Sequence, residues 1–195
     1  MSLPLSLTKE KMARIYDNID IKFTDGLRGI IENTGVKRVD FCVGYFNLRG
    51  WNLIVEQVDK LPGGYVYEDD KCRMRFCRLL IGMHRPDEDL IRSLCSHQET
   101  LPDSEYVQRC KRQIAEDFRR QLLLADEQTL RRPSVQLKEG KVCVKLYLKE
   151  PLHAKLYLAH RPDDNFNKIQ AIMGSSNLTY AGLTRQGELN AEFAD

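Results

Sequence analysis

Segments with strand-like and helix-like patterns alternate along this chain of 195 residues, and this alternation limits its fold more than any other feature. Strands are predicted at residues 38–46, 74–83, 142–148, 153–160, 169–174 and 188–193. Helices are predicted at about 24–33, 48–61, 87–95, 104–125 and 126–139. Strands interleaved with helices are typical of a sheet that helices cover. We therefore predict an α/β fold, with a mixed β-sheet flanked by helices on both faces, in a single domain spanning residues 1–195.

Composition excludes several classes of protein. The chain is 42% apolar and 30% charged, as expected of a soluble globular protein. No run approaches the roughly 20 apolar residues that a membrane-spanning helix needs, and residues 1–10 lack the pattern of a secretory signal. We therefore predict a cytoplasmic protein with no membrane partner. The 30 basic and 28 acidic residues give a net charge of +2, which excludes a polybasic protein but leaves a local basic groove open.

The cysteine spacing argues against a metal site. None of the six cysteines forms a C-x-x-C pair, and the nearest two, Cys72 and Cys77, have no second pair to match them. We interpret the cysteines as buried, reduced thiols. The sequence therefore predicts no disulfide, no metal and no cofactor.

Polar residues in the last quarter of the chain do not follow the pattern of a solvated face. His153 and Lys155 lie two apart on a predicted strand, so we expect their side chains on the same face. A lysine ammonium and an imidazole disfavour each other's charged state unless an anion lies between them. The pair therefore predicts an anion-binding site.

A turn of glycine and small polar residues follows the next predicted strand. Residues 174–179 read Gly-Ser-Ser-Asn-Leu-Thr, and such a turn exposes backbone N–H groups and short donors, with Ser175 and Asn177 among them. These are the groups that hold a phosphate. Glu188, at the start of the last predicted strand, is placed to bind one ring nitrogen of His153 and leave the other free to attack.

A recognisable motif runs through these residues. It consists of His153-x-Lys155, then Gly174-Ser175-x-Asn177, then Glu188. The set resembles the HKD motif of the phospholipase D superfamily. The chain also looks like the phospholipase D-like domain at the N-terminus of large bacterial Swi/Snf-type helicases, and like metal-independent nucleases. This resemblance implies a phospholipase D/nuclease-like fold and an N-terminal fragment of a longer chain, with helicase domains downstream.

The resemblance also implies a two-step phosphoryl transfer. His153 would attack the phosphorus of a phosphodiester, a second histidine would protonate the leaving oxygen, and water would release the product. Lys155, Asn177 and the Ser175 hydroxyl would hold the non-bridging oxygens. Glu188 would orient His153. No metal is needed in this chemistry.

Superfamily members use two HKD motifs in each active site, and this chain has one. The resemblance therefore implies a homodimer that pairs two His153 side chains across a two-fold axis. One position departs from the family: its Asp, separated from the motif lysine by four residues, is replaced by His160. This departure leaves open whether this copy is active.

Three classes of function are compatible with the sequence. The first is a metal-independent phosphodiesterase or nuclease that acts on DNA and is part of a helicase. The second is a weak or inert DNA-binding or targeting module of a helicase. The third is a lipid phosphodiesterase or phosphatidyl transferase, which the absence of a lipid-facing amphipathic stretch disfavours.

Other polar residues have ordinary structural interpretations. We interpret His84, His97 and His160 as structural. Basic residues cluster at 71–78 and 109–120 and are either solvated faces or contacts to nucleic acid. The sequence does not decide between these two readings.

Overall fold

The computed structural model describes residues 14–82, 127–147, 152–162 and 168–194. Three separate positions, Gln108, Arg112 and Glu116, are also described, and all three are helical and exposed. The helix predicted at 87–95, the remainder of that predicted at 104–125, and the predicted structural histidines His84 and His97 lie outside the described residues.

The described strands form a seven-stranded sheet and a separate two-stranded ribbon. The sheet has the strand order β1-β9-β8-β7-β2-β5-β6, and the ribbon consists of β3 and β4. The strands are β1 (Ile15–Tyr16), β2 (Arg38–Val43), β3 (Gly64–Glu68), β4 (Lys71–Arg75), β5 (Cys77–Ile81), β6 (Val142–Leu146), β7 (Lys155–His160), β8 (Ile169–Gly174) and β9 (Asn190–Ala194). The described helices are α1 (Phe23–Glu32), α2 (Leu48–Trp51), α3 (Val55–Asp59), α4 (Glu127–Lys138) and α5 (Tyr180–Thr184). The predicted mixed sheet with packed helices is confirmed; that helices cover both of its faces stays a prediction, because the described helices that join the apolar core pack on one face.

Strand direction brings the candidate residues to one edge of the sheet. Strands β2, β5 and β6 are parallel, whereas β7 runs antiparallel to both β2 and β8, and β9 runs antiparallel to β8. The carboxyl ends of β2, β5, β6 and β8 therefore meet the amino ends of β7 and β9. Lys155 begins β7, residues 175–177 follow β8, and Glu188 precedes β9, so all three groups lie at this edge.

Alternate residues of the central strands build the core. On β2, Val39, Phe41 and Val43 are buried, while the residues between them are half-buried. The buried positions belong to one apolar cluster that also contains residues of α1, α2, α3 and α5, such as Leu27 and Trp51. Burying a large apolar side chain contributes roughly 1.5–3 kcal/mol. This packing fixes the helices on one sheet face and holds the edge that carries the candidate site.

Two elements differ from their predicted forms. The helix predicted at 48–61 is divided into α2 and α3, because Ile54 leaves the helical conformation with φ −126° and ψ 0°. The strand predicted at 74–83 is two strands in different sheets. Asp69 and Asp70 adopt positive φ angles of 50° and 59°, and this turn pairs β4 with β3 instead of with the main sheet.

No described helix is long and apolar enough to span a bilayer.

Candidate functional site

Lys155 is a buried cation at the edge of the sheet. Its side chain lies on the core face of β7, in the same alternation as Tyr157 and Ala159, and only 6% of the residue is exposed. Burial lowers the pKa of its ammonium, and the nearby negative charge of Glu188 partly opposes this effect. The Nζ donates to the His153 carbonyl oxygen at 3.4 Å, a long hydrogen bond that leaves donor capacity for an anion.

His153 lies outside β7, so the strand predicted at 153–160 begins two residues later than expected, and a shared face with Lys155 stays a prediction. His153 lies two residues before β7 and is exposed. Leu152 N donates to the Gly82 carbonyl at 2.9 Å, beyond the end of β5, and this bond fixes the chain just before His153. A Cβ on Gly82 would lie 2.3 Å from the Leu152 oxygen, so this close crossing requires glycine. Within the described residues the imidazole has no hydrogen-bond partner.

Two buried side chains, Tyr157 and Asn190, hold the turn after β8 by hydrogen bonds to Ser176. Ser176 is fully buried. Its carbonyl accepts from the Tyr157 hydroxyl at 2.8 Å, and its N–H donates to Asn190 Oδ1 at 3.1 Å. Asn190 Nδ2 donates to the Ser176 hydroxyl at 2.8 Å. These bonds fix the turn that carries Asn177.

Asn177 presents a donor whose orientation is set by the neighbouring loop. Its Oδ1 accepts from the Tyr45 backbone N–H at 2.9 Å. Because the oxygen is used in this way, the opposite side of the amide is Nδ2, which has no acceptor among the residues that the structure describes. A free amide N–H₂ at a strand end is suited to a phosphate oxygen.

Ser175 ties the turn to the segment before β9. Its hydroxyl accepts from the Leu189 N–H at 2.9 Å and lies 3.5 Å from the Leu189 carbonyl oxygen. Its own N–H donates to that same carbonyl at 3.0 Å. The long contact leaves the O–H available to donate to an anion, so the predicted phosphate contact of Ser175 stays a prediction.

Among the described residues, Glu188 interacts electrostatically with Lys155 and not with His153. Its charge acts on the pKa of Lys155 and also raises that of Tyr157, for which burial is the larger cause. Its backbone N–H donates to the Asp17 carbonyl at 3.2 Å. In the described part of the chain no hydrogen bond joins Glu188 to the imidazole of His153. The predicted orienting role of Glu188 therefore stays a prediction.

Sequence reasoning missed Tyr157, Ser176 and Asn190. The alternation of β7 places Tyr157 in the core, which predicts packing but not the target of its hydroxyl. Asn190 is only 1% exposed. An asparagine within a predicted apolar strand is the one available signal, because a buried amide requires polar partners.

His160 lies at the opposite end of β7 from Lys155. Its Nε2 is 2.8 Å from Asp40 Oδ2, and its Nδ1 is 3.3 Å from Arg38 Nη2. Burial alone would raise the pKa of Asp40, but hydrogen bonds from Arg78, His160 and Arg38 outweigh it and hold this pKa well below its usual range. His160 thus belongs to a structural ion-pair cluster, as the sequence suggested.

The first basic cluster is partly neutralised. Arg75 and Arg78 both bind Glu68, at 2.9 Å and 2.8 Å, and Arg78 also pairs with Asp40. Lys71 and Arg73 of β4 are exposed. The second cluster lies outside the described residues except for exposed Arg112.

Comparison with known proteins gives similarity to solved structures alone. No protein-family model matches the sequence, and no curated protein matches it. The chain is similar to polyphosphate kinase from Porphyromonas gingivalis, with a TM-score of 0.48 and 7% identity over 94% of this chain and 23% of that one. It is also similar to a mutant of yeast tyrosyl-DNA phosphodiesterase 1, with a TM-score of 0.40 and 14% identity over 92% of this chain and 31% of that one. The chain spans less than a third of the length of either protein.

The described side chains offer few ligands for a metal. Nowhere in the described ranges do three His, Cys, Asp or Glu side chains group closely enough to hold an ion. Lys155 and the Asn177 amide are instead donors, which suits an anion.

Proposed function

We propose that this chain is a phosphodiesterase of the nuclease type that cleaves DNA through a phosphohistidine, without a metal ion, as part of a helicase. One observation carries the proposal. A buried ammonium, Lys155, lies at the same sheet edge as the exposed imidazole of His153 and the free amide of Asn177. Burial strengthens the interaction of Lys155 with an anion, because water screens the charge less there.

The proposed chemistry has two displacement steps. A ring nitrogen of His153 forms a bond to phosphorus while the bond from phosphorus to the leaving oxygen breaks, and a second histidine gives that oxygen a proton. Water then attacks the phosphohistidine, the second histidine takes a proton from it, and the nitrogen–phosphorus bond breaks. Lys155 and Asn177 hold the non-bridging oxygens in both steps.

The second histidine would come from another copy of the chain. His153 is exposed, which permits an imidazole from a partner to approach the same phosphate. A two-fold axis near His153 would give two equivalent nucleophile–acid pairs. The active form is then a homodimer.

A second candidate is an inert DNA-binding or targeting module of a helicase. Two observations favour it. The described residues include no hydrogen bond between Glu188 and His153, and His160 is engaged with Asp40 instead of serving the site. Such a module would retain Lys155 and Asn177 for phosphate binding. No observation favours a lipid phosphodiesterase.

Hydrolysis in the presence of EDTA separates these functions. We expect wild-type protein to hydrolyse bis-p-nitrophenyl phosphate and DNA with EDTA present, and His153→Ala to lose this activity. His160→Ala is the matched control, because it removes an imidazole from the opposite end of β7. Light scattering on the same samples should give a dimer. Absence of metal-free hydrolysis in wild-type protein contradicts the enzyme and favours the binding module, and a strict monomer contradicts the shared site.

A further inference from the structure

Two loops next to the candidate phosphate site are joined to each other. The loop after β2 donates from the Tyr45 N–H to Asn177 Oδ1 at 2.9 Å. The same loop accepts at Asn47 Oδ1 from the Tyr180 N–H at 3.2 Å. It also donates from the Asn47 N–H to the Leu178 carbonyl at 3.1 Å. Residues 44–50 and 175–185 therefore form one surface around Asn177, which we term the loop pair.

Each half of the loop pair presents a tyrosine to solvent. Tyr45 is 46% exposed and Tyr180 is 36% exposed, although both backbones are fixed by hydrogen bonds. An ordered backbone restricts where each ring can lie, so stacking a planar group on it costs little conformational entropy. Exposed aromatic rings on an ordered surface indicate a binding site more than a solvated face.

Each half also presents an arginine. Arg49 and Arg185 are exposed, and neither has an ion-pair partner among the described residues. The Arg185 guanidinium lies over the Tyr180 ring, 5.2 Å from its centroid, which keeps this charge beside the ring. The loop pair thus combines two aromatic rings with two guanidinium groups next to Asn177.

This combination matches one kind of ligand. Single-stranded nucleic acid offers phosphates to basic side chains and exposed base faces to aromatic ones, whereas the bases of a duplex are stacked on each other. A lipid tail has no planar face for a tyrosine ring. We propose that Tyr45 and Tyr180, with Arg49 and Arg185, form a subsite for single-stranded DNA, in which bases beside the scissile phosphate stack on the tyrosines. This proposal rests on the phosphodiesterase function proposed above and adds its substrate subsite.

Base stacking and phosphate contact are separable by binding experiments. The probes are a labelled oligothymidylate of about 12 nucleotides, within the range of single-strand site sizes, and an abasic strand with the same number of phosphates. Anisotropy is measured with EDTA in the His153→Ala background, which prevents cleavage. We expect oligothymidylate to bind more tightly than the abasic strand. Tyr45→Ala and Tyr180→Ala should each weaken oligothymidylate binding about 5- to 160-fold, and leave abasic binding unchanged.

Three further variants control this result. Tyr65→Ala removes a tyrosine that is 73% exposed on the ribbon strand β3, and it should leave binding of both probes unchanged. Tyr45→Phe keeps the ring and should bind as the parent does. Arg49→Gln should weaken both probes equally, because it removes a phosphate contact and not a base contact. Circular dichroism establishes that each variant is folded.

Several outcomes would overturn the subsite. These are equal binding of the two probes by the parent protein, unchanged binding in both tyrosine-to-alanine variants, an equal loss in Tyr65→Ala, or equally tight binding of a duplex. The proposed function fails separately. Base-dependent binding without metal-free hydrolysis in the wild-type chain contradicts the enzyme alone, and hydrolysis without base-dependent binding contradicts the subsite alone.

Discussion

At the scale of single residues, Lys155 shows why a buried charged group in a binding site can lower the free energy of unfolding. Its ammonium is buried beside Glu188, yet its pKa is lowered, so desolvation outweighs the attraction of the carboxylate. The charged form is therefore less favoured in the folded chain than in the unfolded chain. An anion that binds between Lys155 and Asn177 would offset this cost, so binding and stability are linked at this residue.

The first prediction at this scale is that Lys155→Met raises stability while it abolishes phosphate binding. Methionine has a similar volume and no charge to desolvate. We expect the free energy of unfolding to rise by about 1 kcal/mol at neutral pH, where the lysine is charged. The gain should shrink as pH rises from the lowered folded pKa of Lys155 towards its ordinary value of 10.5.

Urea unfolding at several pH values, with an oligonucleotide-binding assay, measures both effects. Lys145→Met removes an exposed lysine of β6 and should change neither quantity appreciably. A variant that loses stability at neutral pH would show that the Glu188 interaction outweighs the burial cost, contrary to the sign of the pKa shift.

At the scale of elements, the predictable features were those set by local periodicity. Alternation of apolar residues predicted β2, β7 and β8, and apolar spacing predicted α1. Periodicity could not predict where His153 lies, since the neighbouring Leu152 is held by a hydrogen bond to Gly82, which is distant in sequence. The buried bonds from Tyr157 and Asn190 to Ser176 are likewise tertiary.

The ribbon of β3 and β4 was missed for a related reason. The positive φ angles of Asp69 and Asp70 make the tight turn of a hairpin, and the sequence pattern did not predict a turn there. Burial alternates along its first strand, where Tyr65 and Tyr67 are exposed, but the residue types Tyr-Val-Tyr show no matching alternation of polar and apolar residues. The motif residues were identifiable because their type and spacing carry chemistry, whereas their contacts required the fold.

The second prediction concerns the contact between α2 and the turn before α5. A Cβ on Gly50 would lie 2.7 Å from the Thr179 carbonyl carbon and 2.8 Å from the Leu178 oxygen. These are backbone atoms, which cannot rotate away. We expect Gly50→Ala to lower the free energy of unfolding by about 1–3 kcal/mol through overpacking. Because Leu178 and Thr179 follow Asn177, oligonucleotide binding should also weaken.

Gly29→Ala is the matched control within α1. A Cβ there meets no atom within 4 Å, and the residue is exposed. Alanine in a helix interior is favoured over glycine by up to about 1 kcal/mol, so this variant should be more stable than wild type and bind normally. Thermal unfolding of both variants tests the contact. A stabilised Gly50→Ala would contradict the close packing of α2 on this turn.

At the scale of the whole molecule, ion pairs join the ribbon to the main sheet at the edge opposite the candidate site. Glu68 of β3 accepts from Arg75 of β4 at 2.9 Å and from Arg78 of β5 at 2.8 Å. Arg78 also forms an ion pair with Asp40 of β2. The carboxylate of Glu68 therefore links two sheets, and its ionisation should affect folding of the chain as a unit.

The third prediction is a loss of stability in acid that depends on Glu68. Hydrogen bonds from Arg78, and then Arg75, lower the pKa of Glu68 to about 2 against a partial opposing effect of burial. A carboxyl group whose pKa is lowered in the folded chain stabilises it above the unfolded value of 4.5, and this contribution is lost as pH falls towards 2. We expect the thermal midpoint of wild-type protein to fall across this window.

In Glu68→Gln the charge is absent at every pH, so the midpoint should be lower than that of wild type at pH 7, and its fall between pH 4.5 and 2 should be smaller. Glu56→Gln removes an exposed partner of Arg132, an ion pair of a kind that contributes little, and its pH profile should follow wild type. Equal slopes for wild type and Glu68→Gln would contradict the link. Because Asp40 has its own lowered pKa, part of the acid loss should persist in Glu68→Gln and become smaller still when Asp40 is also replaced by asparagine, with the lowered pKa of Asp17 contributing a remainder.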